Sequence, residues 1–200
     1  MTATYPRLSC VVLNAGHQRT IDFASPSSIS LSDLTSEVEL NYLSPLHTVS
    51  LFLPHLLALA PLPASVVLVS SGLAIIPIAR CANYCAAKAA VHSLAWTLRG
   101  QLGSPGFEGG RHLRVIELVP PAVQTELHSR QPDLVAAGQA SIGMPLADYV
   151  DDTWAQLSGP DVVDEIMPAS VRARFGTVED EKRRGFRAME KTMRDAGRTA

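Results

Sequence analysis

Tyr84 and Lys88 stand four residues apart in the stretch NYCAAKAAVHSL (83–94). Its alanine-rich composition favours a helix, and on a helix that spacing stacks both side chains on one face. A phenol beside an ammonium is a potential proton-transfer pair. A free tyrosine, with a pKa of about 10, is a poor base at neutral pH, and a fixed positive charge nearby favours its phenolate. Lowering that pKa by ~2–3 units needs about 3–4 kcal/mol of differential stabilisation. The same spacing also describes any tyrosine and lysine that share a helix face, so the pair alone decides nothing. A carbonyl or alcohol enzyme needs, in addition, a second hydrogen bond to the oxygen on which charge develops. Ser70 and Ser71, closing the run ASVVLVSSG (64–72), are the candidates, and the sequence distance to Tyr84 favours Ser71.

These residues require elements to position them. LSCVVLNAG (8–16) reads as a buried strand ending in an Asn-Ala-Gly turn, ASVVLVSSG as a second strand, and residues 113–119 as a third, stopped by Pro120-Pro121. A weak fourth strand is expected near Asp164–Met167. Between them lie helical patterns. LSDLTSEVELNYLSPLHTVSLFLPHLLALA (31–60) has Asp33 or Thr35 as a cap, Glu37 and Glu39 near its positive end, and Pro45 and Pro54 as sources of kinks or a break. The helix of about 83–102 carries its apolar stripe on Ala87, Ala90, Val91, Leu94 and Leu98. LAIIPIARCA (73–82) reads as a loop, GSPGFEGGR (103–111) as a surface turn, and 126–160 as loops and a helix that cover a ligand. Apolar strands joined by helices predict an α/β fold, a doubly wound parallel sheet whose sites lie beyond the carboxyl ends of the strands. Asn14, Ser70, Ser71 and the segment Pro120–Thr125 all fall there.

Composition narrows the classes. Two hundred residues at 46% hydrophobic and 18% charged suit one soluble domain, and a net charge of −2 gives no reason to expect nucleic acid or an anionic membrane as partner. Nine of the seventeen Lys and Arg lie between Arg172 and Arg198, mixed with Glu179, Asp180, Glu181, Glu190 and Asp195, so 171–200 is expected as a solvated, charged helical tail behind a domain of 1–170. Cys10, Cys81 and Cys85 make no disulfide framework and complete no zinc set, so no metal is expected. Cys85 should pack as a small apolar residue, and His47, His55 and His92 should sit at the surface or the core edge. No apolar run reaches membrane-spanning length, which makes a cytoplasmic protein the expectation.

The ordered set resembles the short-chain dehydrogenase/reductase family. Asn14-Ala15-Gly16 follows a strand, Asn41 stands in ELNYLSPLHTVSLFLPHL, Ser71 ends VVLVSSG, and Tyr84-x-x-x-Lys88 follows thirteen residues later, the family's spacing; VIELVPPAVQTEL completes the pattern over about residues 6–170. The resemblance implies that Tyr84 is the proton donor and acceptor and that Ser71 orients the carbonyl. Lys88 would bind the nicotinamide ribose and depress the Tyr84 pKa, and Asn41 would position a water. Asn14, Val123 and Thr125, with Tyr84 and Lys88, would line an NAD or NADP cofactor. A small ketone or secondary alcohol would be the substrate. The helices of 35–60 and 83–102 would pair copies of the chain, or a relative, into an oligomer. Pro121 stands where the family usually has glycine, which narrows backbone freedom there.

One half of the pattern has no counterpart. LSCVVLNAG resembles the family's fourth strand, and the glycine-rich loop Thr-Gly-x-x-x-Gly-x-Gly that approaches the pyrophosphate is not in this sequence. The expected fold is therefore a partial Rossmann-like sheet lacking the first three strands, with Cys10–Asn14 as a bare apolar edge that tends to pair with another chain. Three activities fit such a chain. It can be an NAD(P)-dependent oxidoreductase, a cofactor-independent isomerase, dehydratase or cyclase using the same Tyr84, or a non-catalytic oligomerisation partner.

Overall fold

A computed structural model of the chain describes residues 1–103, 110–159 and 163–197. Its centre is a four-stranded, all-parallel sheet in the order β1 (Cys10–Leu13), β2 (Ala64–Val69), β3 (Leu113–Leu118), β4 (Glu165–Ile166). The register pairs Val12 with Val67 and Val67 with Ile116, so the carboxyl ends of β1, β2 and β3 finish at one level. All four expected strands form, but β1 is not buried. Its residues alternate between exposed and half-buried, and Val12 is 57% exposed. The cause is topological: β1 has a strand on one side only, among the described residues.

Between β1 and β2 run α1 (Leu31–Val38), a five-residue π-helical stretch (Glu39–Leu43) and α2 (Ser44–Ala58). Ser30 caps α1, its hydroxyl accepting from Asp33 N at 3.2 Å, where Asp33 or Thr35 was expected to do so. The expected break at Pro54 does not occur either, and α2 continues to Ala58. Pro54 is exposed, so the Ser50 carbonyl that it leaves without a donor faces water. The disturbance falls instead at the π-helical stretch ahead of Pro45, which cannot donate to the Asn41 carbonyl and so breaks the regular ladder there.

The crossover α3 (Ala82–Leu102) packs Val91, Ala95 and Leu98 against Val66, Leu68 and Val115 of the sheet and Val49 and Leu56 of α2. The opposite face, Val67, Val69, Ile116, Leu118 and Ile166, is met by Leu157 of α6 (Leu146–Ser158). Two short helices, α4 (Glu126–Ser129) and α5 (Pro132–Ala136), follow β3. The turn expected at 103–111 falls, for 104–109, outside the described residues.

The charged segment differs from the solvated tail expected for 171–200. It belongs to α7 (Ala169–Asp195), which buries Val171, Gly176 and Glu179. Phe186 reaches the Trp96 ring of α3, with centroids 5.3 Å apart, and Arg183 binds Glu165 of β4 at 2.5 Å. Charge density alone hides these contacts, because the buried residues are spaced along one face of a helix whose other faces are basic.

Candidate active site

Four of the expected residues converge beyond the carboxyl end of β2. Ser71 follows that strand in extended conformation, and its hydroxyl accepts from Leu73 N at 3.1 Å, which fixes its rotamer at the start of the 3-10 turn Gly72–Ala74. Ser70, its rival, is 1% exposed and donates to Leu118 O at 3.3 Å, tying β2 to β3. Ser71, in the same cavity wall as Tyr84, is therefore the serine beside it.

The first turns of α3 place Tyr84 and Lys88 on its inner face, 6% and 4% exposed. The Lys88 ammonium donates to Val69 O at 2.8 Å and stands 5.7 Å from the centre of the Tyr84 ring. Burial lowers its pKa from 10.5 to about 8. Burial also pushes the Tyr84 phenol above its ordinary value, and the nearby Ser71 hydroxyl opposes that shift without overturning it. The depression of Tyr84 by Lys88 that the resemblance implies is not what the geometry produces. The ammonium lies over the ring and is engaged by a carbonyl, while the phenol oxygen loses its water.

Asn41, fully buried, clasps the loop after β1: its Oδ1 accepts from His17 N at 3.0 Å and its Nδ2 donates to His17 O at 2.8 Å. The clasp brings Gly16 against the site. A Cβ at Gly16 would lie 2.8 Å from Asn41 Oδ1 and 3.4 Å from Lys88 Nζ, so the loop packs this closely only because residue 16 is glycine. Glu37, also fully buried, sets the frame, accepting from Arg19 N of the same loop at 2.9 Å and from Asn83 Nδ2 of α3 at 2.8 Å. In the sequence Glu37 is legible only as an acid near a helix start.

Ser71 and Tyr84 form part of the wall of a cavity of about 490 Å³, closed by the 120–122 segment, α4, α5 and the start of α7. Phe175 of α7 presses on the strand end there. A Cβ at Gly72 would meet its ring at 2.9 Å, so the missing side chain lets α7 close over the site. Asn14, Val123 and Thr125 do not line this cavity among the described residues. Asn14 is exposed just past β1, and Val123 is buried in a parallel bridge with Met144. Thr125 is exposed, and its hydroxyl caps α4 by accepting from Leu127 N at 3.3 Å.

The sequence reading missed two polar groups. Arg80 lines the cavity and is held by Asp133 (Nε–Oδ2 2.8 Å) and Gln131 (2.5 Å). His92, expected near the surface, is 4% exposed and lies between two fully buried carboxylates, with Nδ1 2.8 Å from Glu117 and Nε2 3.2 Å from Glu179. Burial alone would lower its pKa, but the two carboxylates outweigh that and raise it to about 9. Ligand-type atoms of His92, Glu165 and Glu179 come within 4.8 Å of one another, a grouping that no spacing in the sequence announces. Arg183 and Lys182 already stand within ion-pair distance of these carboxylates, so the cluster is charge-compensated by the chain itself. Cys81 and Cys85 are buried free thiols with sulfurs 3.8 Å apart.

Comparison with known proteins places this geometry. A family model described as short chain dehydrogenase matches residues 1–134. An uncharacterized oxidoreductase, DltE of Bacillus subtilis, is 43% identical over 146 residues, covering 73% of this chain and 54% of its own. A short-chain dehydrogenase from Sphingobium yanoikuyae, solved in complex with NADPH, superposes with a TM-score of 0.70 at 21% identity, covering 91% of this chain and 65% of the other. One from Streptomyces avermitilis gives 0.68 at 20% identity, over 97% of this chain and 73% of that one. At such identities the solved structures establish the fold. The chain spans about half the length of the curated relative it matches.

Proposed function

This chain belongs to the short-chain dehydrogenase family, and on that premise we propose that it carries the acid–base end of an NAD(P)-dependent oxidoreductase site acting on a ketone and its secondary alcohol. The observation that carries the reading is the placing of Ser71 and Tyr84 in the wall of one cavity, with the Lys88 ammonium 5.7 Å from the centre of the Tyr84 ring. Ser71 Oγ and Tyr84 Oη are the two donors a carbonyl oxygen needs, one to hold it and one to protonate it. The raised pKa of Tyr84 keeps it a neutral phenol at physiological pH, which suits proton donation and hence reduction of the carbonyl. Lys88, its charge held by Val69 O, and Asn41, locked on His17, stand against Gly16 at the end of the site where a nicotinamide ribose would pack. A bound nicotinamide supplies or accepts the hydride at the carbon whose oxygen Tyr84 serves. Among the described residues no glycine-rich strand-to-helix loop cradles a pyrophosphate, so affinity would rest on the nicotinamide end. The three free cysteines agree with a reducing, cytoplasmic setting.

The test is a titration of the purified chain with NADPH and with NADH, following nicotinamide fluorescence, and then turnover of a ketone panel. Saturable binding is expected, with turnover falling about 10²–10⁴-fold in Tyr84→Phe, the usual contribution of a general acid. Failure to saturate at millimolar dinucleotide sinks the redox reading. Turnover without dinucleotide that disappears in Tyr84→Phe would point instead to an isomerase, dehydratase or cyclase.

A further inference from the structure

We infer that the substrate taken up beside Ser71 and Tyr84 is an oxo or hydroxy acid, whose apolar body fills the cavity and whose anionic end is held by Arg174. The inference rests on the reading of Ser71 and Tyr84 as the reacting end, and it adds what sits at the other end. The cavity, at about 490 Å³, is larger than a small ketone requires and falls in the range of sites that enclose whole medium-sized ligands. Much of its lining is apolar, including Leu73, Ile78, Pro120, Leu134, Ile142 and Phe175.

Its charges are one-sided. Two arginines line it, and no aspartate or glutamate does. Arg80 is neutralised by Asp133, with Nε to Oδ2 at 2.8 Å and Nη2 to Oδ1 at 2.9 Å. Arg174 differs: among the described residues no carboxylate lies within ion-pair distance of it. Its guanidinium stands 5.9 Å from the centre of the Phe175 ring, itself part of the lining. Ser170 lines the cavity one turn earlier on the same face of α7, at the positive end of a 27-residue helix. A further polar side chain lies in the lining. His128 lines the cavity, is 6% exposed, and its Nδ1 has no hydrogen-bond partner among the described residues. Burial lowers its pKa, so it adds no second positive charge at neutral pH. The cavity therefore presents two hydroxyl donors at one wall, apolar sides, and an uncompensated guanidinium with a helix N-terminus on α7. A planar guanidinium matches a carboxylate bidentately.

The experiment measures binding to the whole chain by calorimetry, with 7-oxooctanoate and its methyl ester as probes that share one carbon chain, the first an anion and the second neutral. The acid is expected to bind roughly tenfold more tightly than the ester at low ionic strength, with the preference shrinking at about 0.5 M salt because Arg174 is exposed. Arg174→Gln should equalise the two ligands, Arg174→Lys should keep part of the preference, and Tyr84→Phe should keep all of it. Equal affinities in the unmodified chain would overturn the inference. So would a preference surviving in folded Arg174→Gln, or no binding of the acid at about 10 mM. Acid preference without any dinucleotide-dependent turnover would reject the reductase reading while leaving the anion site standing.

Discussion

Tyr84 and Lys88 share a helix face, as their spacing requires, yet the environment gives each a pKa that spacing alone does not suggest. Both are nearly inaccessible to water, and burial dominates. For Lys88 this has a measurable consequence for stability. Its pKa is about 8 in the folded chain against the ordinary lysine value of 10.5, so between those pH values the unfolded state binds more protons and stability rises with pH. Below about 8 the cost of burying the ammonium is constant and complete. Lys88→Met should therefore stabilise the chain at pH 7 by about 1–3 kcal/mol, the bound left after subtracting the hydrogen bond to Val69 O. The advantage should fade by pH 10 while ketone turnover is lost throughout. Chemical denaturation of both proteins at pH 7 and pH 10 checks it, and a Lys88→Met chain less stable than the parent at pH 7 would refute it. Ser71 was legible because it ends a strand at the right sequence distance. The direction of the Tyr84 shift was not, because it follows from burial, with Cys81, Cys85 and Leu73 packed around the ring, which the Tyr84–Lys88 spacing does not announce.

Among the elements, the strands were legible as β-branched runs and α3 as a periodic stripe, whereas interruptions and helix docking were not. Pro45 and Pro54 look alike in the sequence, but one follows a π-helical stretch and the other lies in an unbroken helix, because only the latter has its freed carbonyl in water. The docking of α7 depends on His92, Glu117 and Glu179, separated by 25 and 62 residues, and no local pattern joins them. The groups facing the imidazole come from every neighbouring element: Glu117 of β3, Arg99 of α3, Glu165 of β4, and Glu179, Lys182 and Arg183 of α7. The His92 pKa is raised to about 9 from 6.5, so its stabilising protonation is complete below about 6.5 and is lost as pH rises through about 9. Amide hydrogen exchange across 169–188 should accelerate as the pH passes 9, after correction for the intrinsic rate. His92→Gln should flatten that dependence. Glu179→Gln should loosen α7 already at pH 7, by about 1.5–3 kcal/mol, because it removes the one of the two carboxylates on His92 that belongs to α7 and leaves only Glu117 on the imidazolium. Unchanged protection of α7 in Glu179→Gln would show that the apolar contacts of Val171 and Phe186 hold the helix without the clamp.

At the scale of the whole molecule, the sheet is asymmetric in a way that bears on its partners. β4, two residues long, closes one side and is held by Arg183 of α7. β1 on the other side packs Val11 and Leu13 toward the α2 core while Cys10 and Val12 face solvent. An exposed apolar edge strand presents a row of backbone donors and acceptors ready to pair with another strand. Leu31 and Leu51, 76% and 77% exposed on α1 and α2, add apolar surface, and Leu51 lies within the 35–60 stretch that the sequence reading assigned to oligomer contacts. From these features the chain is expected to self-associate at micromolar concentration. Val12→Lys should reduce association through the edge, because an edge lysine opposes strand pairing while costing the fold little at so exposed a position. Leu51→Lys should reduce association through the helices. Sedimentation velocity across a concentration series distinguishes the two routes, with circular dichroism confirming that each variant folds. If only Leu51→Lys shifts the distribution, the edge is not the contact. If the parent chain sediments as a monomer throughout, neither surface is an interface between copies. If Val12→Lys alone restores the monomer, β1 is where a second chain adds its strand, along Cys10–Leu13 just before Asn14.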